Sequence, residues 1–236
     1  MKTMVREISW VAGAVVGLGL LAGCKMDSVT EVYVTDVEDA LHSGEVLNAN
    51  VDLRIEMPSE DHCRQNAADV EQLLGAHLPE FEATNCVQDG FQAYMEGSAR
   101  IPMLNPERVE QDFDTSLLVL VLSESEAASG SDNPVIRLSV YLDGQRFQQL
   151  NREVSQRFYQ DIDLAGSRVE LRVHNDDRRD WLVAVNSAFM DGEPVLSGAK
   201  QLSRRDRTQI RLSDVARSYL VEEGMVPAAQ MQAVTE

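Results

Sequence analysis

A chain of 236 residues, 44% hydrophobic and 25% charged, can bury a core as one domain of α/β or α+β type, or as two small ones. Its formal net charge of −18 argues against a nucleic-acid groove or a site for anionic phosphates, both of which need clustered Lys and Arg. With 6% aromatics there is no stacking platform either, and Phe147, Phe158, Trp181 and Phe189 fall at phases that core packing explains.

The chain opens with Lys2 and Arg6, then an apolar run from about Trp10 to Ala22, then the small pair Ala22 and Gly23 before Cys24. That order marks residues 1–23 as a secretory signal peptide rather than part of a fold. Counted from Ile8 the apolar run is about 15 residues, against the ~20 that a spanning helix needs. Leu20-Leu21-Ala22-Gly23-Cys24 resembles the lipobox of bacterial lipoproteins. The resemblance implies a diacylglycerol on the Cys24 thiol, cleavage before that residue and acylation of the new amino terminus, with palmitate as a typical chain. Two or more acyl chains give stable anchoring where one does not. An Asp after the cysteine would imply inner-membrane retention; Lys25 stands there, so the resemblance implies the periplasmic face of the outer membrane.

Residues 24–34 read as a polar tether, at most ~35 Å long. Thr35-Asp36-Val37-Glu38 has the form of a capping box and predicts a short helix ending at Gly44. Leu47 to Met57 alternates apolar and polar residues over a whole strand. Ser59 caps a helix whose inner stripe is Cys63, Ala67, Val70 and Leu74. Two strands follow, around Phe81–Val87 and Phe91–Ile101, joined by the hairpin signal Asp89-Gly90. Residues 35–104 thus form an N-terminal α+β half, and 105–115 a linker. The C-terminal half spans 116–224. It opens with the apolar strand 116–122, a loop over 124–133 and an alternating strand over Val135–Leu142. A helix carrying Phe147, Leu150, Val154 and Phe158 comes next, then a short strand over Val169–Val173. A hairpin through Asp191-Gly192 and a strand over Thr208–Leu212 lead to a last helix capped by Ser213 and stopped by Gly224. Residues 225–236 read as a flexible tail. The expected fold class is α+β: mostly antiparallel sheet with helices on one face, divisible into two strand-helix-hairpin halves.

Cys63 and Cys86 make an even pair in an exported chain and predict a disulfide. The alternative is a reactive thiol beside His62, though neighbours on a helix point apart. Strict alternation turns Cys86 away from the core, so the bond requires the strand to end by Asn85 or a bulge to re-aim it.

The search for chemistry returns chance matches. Ser197-Gly198-Ala199-Lys200 and Ser131-Asp132-Asn133 copy two motifs of penicillin-binding enzymes, in reversed order and without the third. Asp161-Ile162-Asp163 with Gly166 opens like a calcium loop, but Arg172 stands where a bidentate Glu is required. The four histidines (His42, His62, His77, His174) form no i, i+4 pair, and His174-Asn175-Asp176-Asp177 alone does not make a zinc site. No catalytic residue, metal ligand or cofactor is assigned.

Cys24-Lys25-Met26-Asp27, Thr35-Asp36-Val37, Pro58-Ser59, the Cys63 and Cys86 pair and Ala188-Phe189-Met190-Asp191-Gly192-Glu193-Pro194-Val195 together resemble a group of uncharacterised bacterial lipoproteins carried by prophages and other mobile elements. The resemblance implies an envelope lipoprotein and no specific activity. The expectation is a lipid-anchored, non-enzymatic protein facing the periplasm. It is held to the membrane through Cys24, binds no nucleic acid, and meets an unidentified envelope protein or acts in exclusion of competing elements. The alternative is a periplasmic hydrolase whose paired carboxylates meet only in the fold.

Overall fold

The computed structural model describes residues 23–109, 116–125 and 133–234. The expected signal segment up to Ala22, residues 110–115 of the expected linker and most of the expected loop after Glu124 lie outside the described residues, as do Ser131 and Asp132.

In chain order the elements are β1 (Met26–Tyr33), α1 (Val34–Ser43), β2 (Leu47–Met57), α2 (Glu60–Gly75), β3 (Glu82–Asp89), β4 (Gln92–Leu104), β5 (Leu118–Ser125) and β6 (Val135–Leu142). They continue with α3 (Gly144–Phe158), β7 (Val169–His174), β8 (Trp181–Met190), β9 (Glu193–Leu202), β10 (Arg207–Leu212), α4 (Asp214–Glu223) and β11 (Met225–Ala233).

Nine of the strands close into a ring, in the order β10-β7-β1-β2-β4-β5-β6-β11-β8 and back to β10; β3 and β9 lie outside it as partners of β4 and β8. The protein is therefore a closed barrel, 50% strand and 26% helix among the described residues, and not an α+β sheet with helices on one face. Two strands that the sequence hides make the difference. The expected tether is β1, which joins β2 to β7. The expected tail is β11, which joins β6 to β8. Without them β2–β6 and β7–β10 would remain two open sheets; with them both edges of each sheet are paired and the two halves become one body.

Both disguises have local causes. In β1 the two middle inward positions, Ser28 and Thr30, are buried but polar, while Val29 faces outward, so only Met26 and Val32 show the apolar face. In β11 three of the five buried residues, Ala228, Ala229 and Ala233, are small, the others being Val226 and Met231, and Pro227 follows the helix stop at Gly224. The proline is accommodated where the pairing with β6 shifts register between Pro227 and Ala229, as a ladder lacking one N–H requires.

Seven of the nine joints are antiparallel and two, β1–β7 and β4–β5, are parallel. An odd number of reversals cannot close around straight staves, so one strand must turn. That strand is β8. Its edge not taken by β9 is shared, Trp181–Ala184 pairing with β11 and Ala188–Met190 with β10; Ser187 between them has φ 51°.

The interior is solid. Met26, Leu53, Met95, Ile101, Leu120 and Trp181 are all buried there. The outer wall carries Asp52, Arg54, Glu96, Arg100 and Arg172, most of them half-exposed or exposed. Apolar inside and charged outside is the reverse of a barrel that crosses a bilayer. No described helix is long and apolar enough to cross a membrane either.

Helices sit at both ends. At one, α1 buries Val34, Val37, Ala40 and Leu41 against β1, β4 and β5. It begins at Val34, so Thr35 is not its cap; the Thr35 amide and hydroxyl both donate to Asp176, in the turn after β7. At the other end α2 and α3 pack together, α2 resting on β2, β3 and β4. Ser59 and Asp143 cap them by accepting from the His62 amide and from the Gln145 and Arg146 amides. The Cys63–Cys86 disulfide ties α2 to β3 with Cα atoms 5.9 Å apart. The awkward phase of Cys86 is resolved by a bulge: pairing of β3 with β4 shifts register between Ala83 and Asn85, which brings Cys86 opposite the inward Met95.

Candidate functional site: the Cys24 end of the barrel

Cys24 is docked into the body, two residues before β1. Its amide donates to the Asp161 carbonyl at 2.7 Å, its carbonyl accepts from the Asp163 amide at 2.9 Å, and its thiol donates to Gln160 Oε1 at 2.7 Å. The thiol is pushed up to about 11, first by burial and then by the Glu56 carboxylate, so it is a weak nucleophile. Lys25 continues the pairing: its carbonyl accepts from the Glu56 amide at 2.8 Å.

A hollow of about 40 Å³ opens beside the thiol, lined by Met26, Ile55 and Met57 from the ring and by Leu74, Val154 and Phe158 from the helices. That space holds a few water-sized groups and not an acyl chain.

The same end carries two aromatic rings with nothing over them. Phe91, at the tip of the β3–β4 hairpin after Gly90, is 106% exposed relative to a reference chain; Tyr159, the left-handed cap of α3 beside Gln160, is 88% exposed. Register fixes their nearness to Cys24. Met26 pairs with Ile55 and Ile55 with Met95, and the Glu56 carboxylate accepts from the Gln92 side chain at 2.9 Å.

The other sequence candidates are occupied structurally. His174 stacks on Tyr33 and pairs with Glu31, which also accepts from Arg172 at 3.0 Å. Asn175 is buried and donates to the Arg179 and Leu202 carbonyls, holding the turn between β7 and β8. Asp177 accepts from Trp181, Arg179 and the Arg178 amide; burial pushes its carboxyl up, and these bonds outweigh that and hold it low. Asp163 accepts from the Gly166 amide in a turn of its own. Ser197 lies on β9 opposite Asn186, and the Lys200 ammonium donates to Asp191 and to the Arg207 carbonyl. Among the described residues no group of three His, Cys, Asp or Glu side chains is placed to hold a metal ion.

Two further features bear on chemistry. Asp36 is raised by burial and by Asp176 and Asp39, but Asp176 is committed to Thr35 and the cluster serves the start of α1. A shallow groove of about 450 Å³ on the outer wall is lined by Asp27, Asp52, Arg54, Glu96, Arg168 and Arg172, charges of both signs that suit no single ion. Behind it Glu170 is fully buried, with Arg168 and Arg172 each 3.5 Å from a carboxylate oxygen. Sequence reasoning had no signal for Phe91, Tyr159 or Glu170 as a group; each reads alone as a surface or strand residue.

One family model, described as a Domain of unknown function (DUF7424), matches residues 26–233. No curated protein and no solved structure matches the chain.

Proposed function

This chain belongs to the DUF7424 family, and from that premise and the setting of Cys24 we propose that it is a lipid-anchored envelope protein of interaction type, without enzymatic activity. The observation that carries the reading is Leu20-Leu21-Ala22-Gly23-Cys24 ending at a cysteine held on the surface of one end of the body. The docking is compatible with modification. An acylated amino terminus keeps the one N–H that Asp161 accepts, and a thioether gives up only the bond to Gln160. Lys25 directs the protein to the periplasmic face of the outer membrane. The interaction role, toward another envelope protein or in exclusion of competing elements, draws support from the packed interior and from the apolar surface of Leu196 and Val215 beside Phe189. A carboxylate hydrolase is the weaker reading, because Asp36 and Asp176 line neither the hollow beside Cys24 nor the groove on the outer wall.

The test is metabolic labelling with an alkyne-bearing palmitate, followed by mass analysis of the amino-terminal peptide and density-gradient fractionation. Wild type should carry acyl groups on Cys24 and travel with the outer membrane; Cys24→Ala should lose label and leave the membrane fraction. Equal membrane recovery of the two forms would refute the anchor, and clean recovery with the inner membrane would refute the sorting.

A further inference from the structure

We propose that the Cys24 end of the barrel lies directly on the bilayer, with Phe91 and Tyr159 seated among the lipid headgroups. The inference rests on lipidation of Cys24 and goes beyond it, because an anchor alone permits a body held off the membrane on a leash. Here there is no leash. The Cys24 backbone is bonded to Asp161 and Asp163, and β1 begins at Met26. The hollow beside the thiol is too small for an acyl chain, so the chains must leave the protein. A diacylglyceryl sulfur sits at headgroup level, and whatever projects past it enters the interface.

Phe91 projects past it. Carrying the register of β1, β2 and β4 outward sets Cys24 level with Met57 and Ala93. Phe91 stands two residues further out, about 7 Å at strand rise, and two strands aside, about 10 Å. Tyr159 adjoins Gln160, the residue that accepts from the Cys24 thiol. Aromatic rings prefer that depth, Tyr with its hydroxyl toward water. Both rings are exposed at the one end where the anchor emerges, and the opposite end, at α1, is about 26 Å away along β1.

The experiment uses the full lipidated chain in vesicles containing lipids brominated near the headgroup. Phe91→Trp and Tyr159→Trp are compared with Asp39→Trp on α1, and lipidation of each is confirmed by mass. Trp181, buried at the far end in every variant, serves as an internal reference. The expected result is at least twofold quenching of the tryptophans introduced at positions 91 and 159, and none at position 39 or of Trp181. Lipidated protein without quenching at 91 and 159 overturns the docking and leaves the anchor standing. A photo-crosslinker at 91 that captures a protein instead of lipid overturns it as well. An unlipidated chain overturns both readings together.

Discussion

Removing the Cys63–Cys86 bond is the perturbation whose size follows most directly from the structure. The bond closes a loop with a sequence separation of 23. On the chain-entropy account a loop of that length stabilises by about 3 kcal/mol at 25 °C. For a domain of this size each kcal/mol moves the midpoint by about 2–4 °C, so reduction should lower it by roughly 6–12 °C. The effect should also be local. Among the described residues β3 pairs only with β4, outside the ring, and α2 rests on that hairpin, tied to it by Cys63. Hydrogen exchange should therefore accelerate in α2 and β3 while β6, β8 and β11 stay protected. The assay is thermal unfolding of wild type with and without a phosphine reductant, beside the double variant Cys63→Ala, Cys86→Ala. Reduced wild type and the double variant should coincide, because the lost constraint dominates over the lost sulfur packing. If reduction leaves the midpoint unmoved, the loop constraint contributes nothing and α2 is held by packing alone. If exchange rises throughout the ring, the assignment of α2 and β3 as an appended unit is wrong.

The half-buried thiol gives a pH prediction. An unlipidated form in which residues 1–22 are replaced by an uncleaved polar leader keeps Cys24 as an internal thiol at about 11 instead of 9.0, through burial and then Glu56. The thiolate population at pH 8 is about a hundredfold lower and the thiolate about tenfold more nucleophilic, so alkylation should run about tenfold slower than at an exposed cysteine and climb until about pH 11. A plateau at pH 9 refutes the burial. A raised thiol favours the neutral form when folded, so its contribution to stability is full below about pH 9 and lost as pH rises to about 11. Deleting residues 225–236 removes β11, exposes the edges of β6 and β8, and should give an insoluble chain with no cooperative melt; a soluble product that melts like the full chain would mean that the ring does not need its last strand.

Long elements with one wet and one dry face were legible in the sequence. Leu47 to Met57 alternates without a fault and is β2 from end to end. Ser59 and Ser213 cap the helices they were expected to cap, and Asp89-Gly90 and Asp191-Gly192 make the two expected turns. What failed shares one cause. Pattern reading assumes that a buried position is occupied by a large apolar side chain, and the two closing strands break that assumption, β1 with Ser28 and Thr30, β11 with three alanines. Thr35 failed for a related reason: its capping signal is real, but a carboxylate from beyond β7 takes the hydroxyl, and nothing local announces Asp176. The disulfide was legible as a pair of cysteines, whereas the bulge that permits it leaves no mark beyond the faulty phase of Cys86.

The candidate site illustrates the limit from the other side. Cys24 is proposed from a contiguous signal, Leu20 to Cys24. Phe91 and Tyr159 were not legible, since a single exposed aromatic is common on any surface. They acquire meaning through strand order. β1 starts at the anchor end, so its antiparallel neighbour β2 finishes there, and β4, antiparallel to β2, starts there with the β3–β4 hairpin tip just before it. The bridge from Cys24 to Ile162 brings the end of α3 to the same place. Closing the ring through β1 therefore does two things at once: it shuts the barrel, and it gathers Cys24, the residue proposed to carry the lipid, and two exposed rings at one end. Had residues 24–34 been the tether that their polarity suggests, the body could rotate freely and neither ring would have a fixed relation to the membrane. With β1 in the ring, an anchor at Cys24 would fix both.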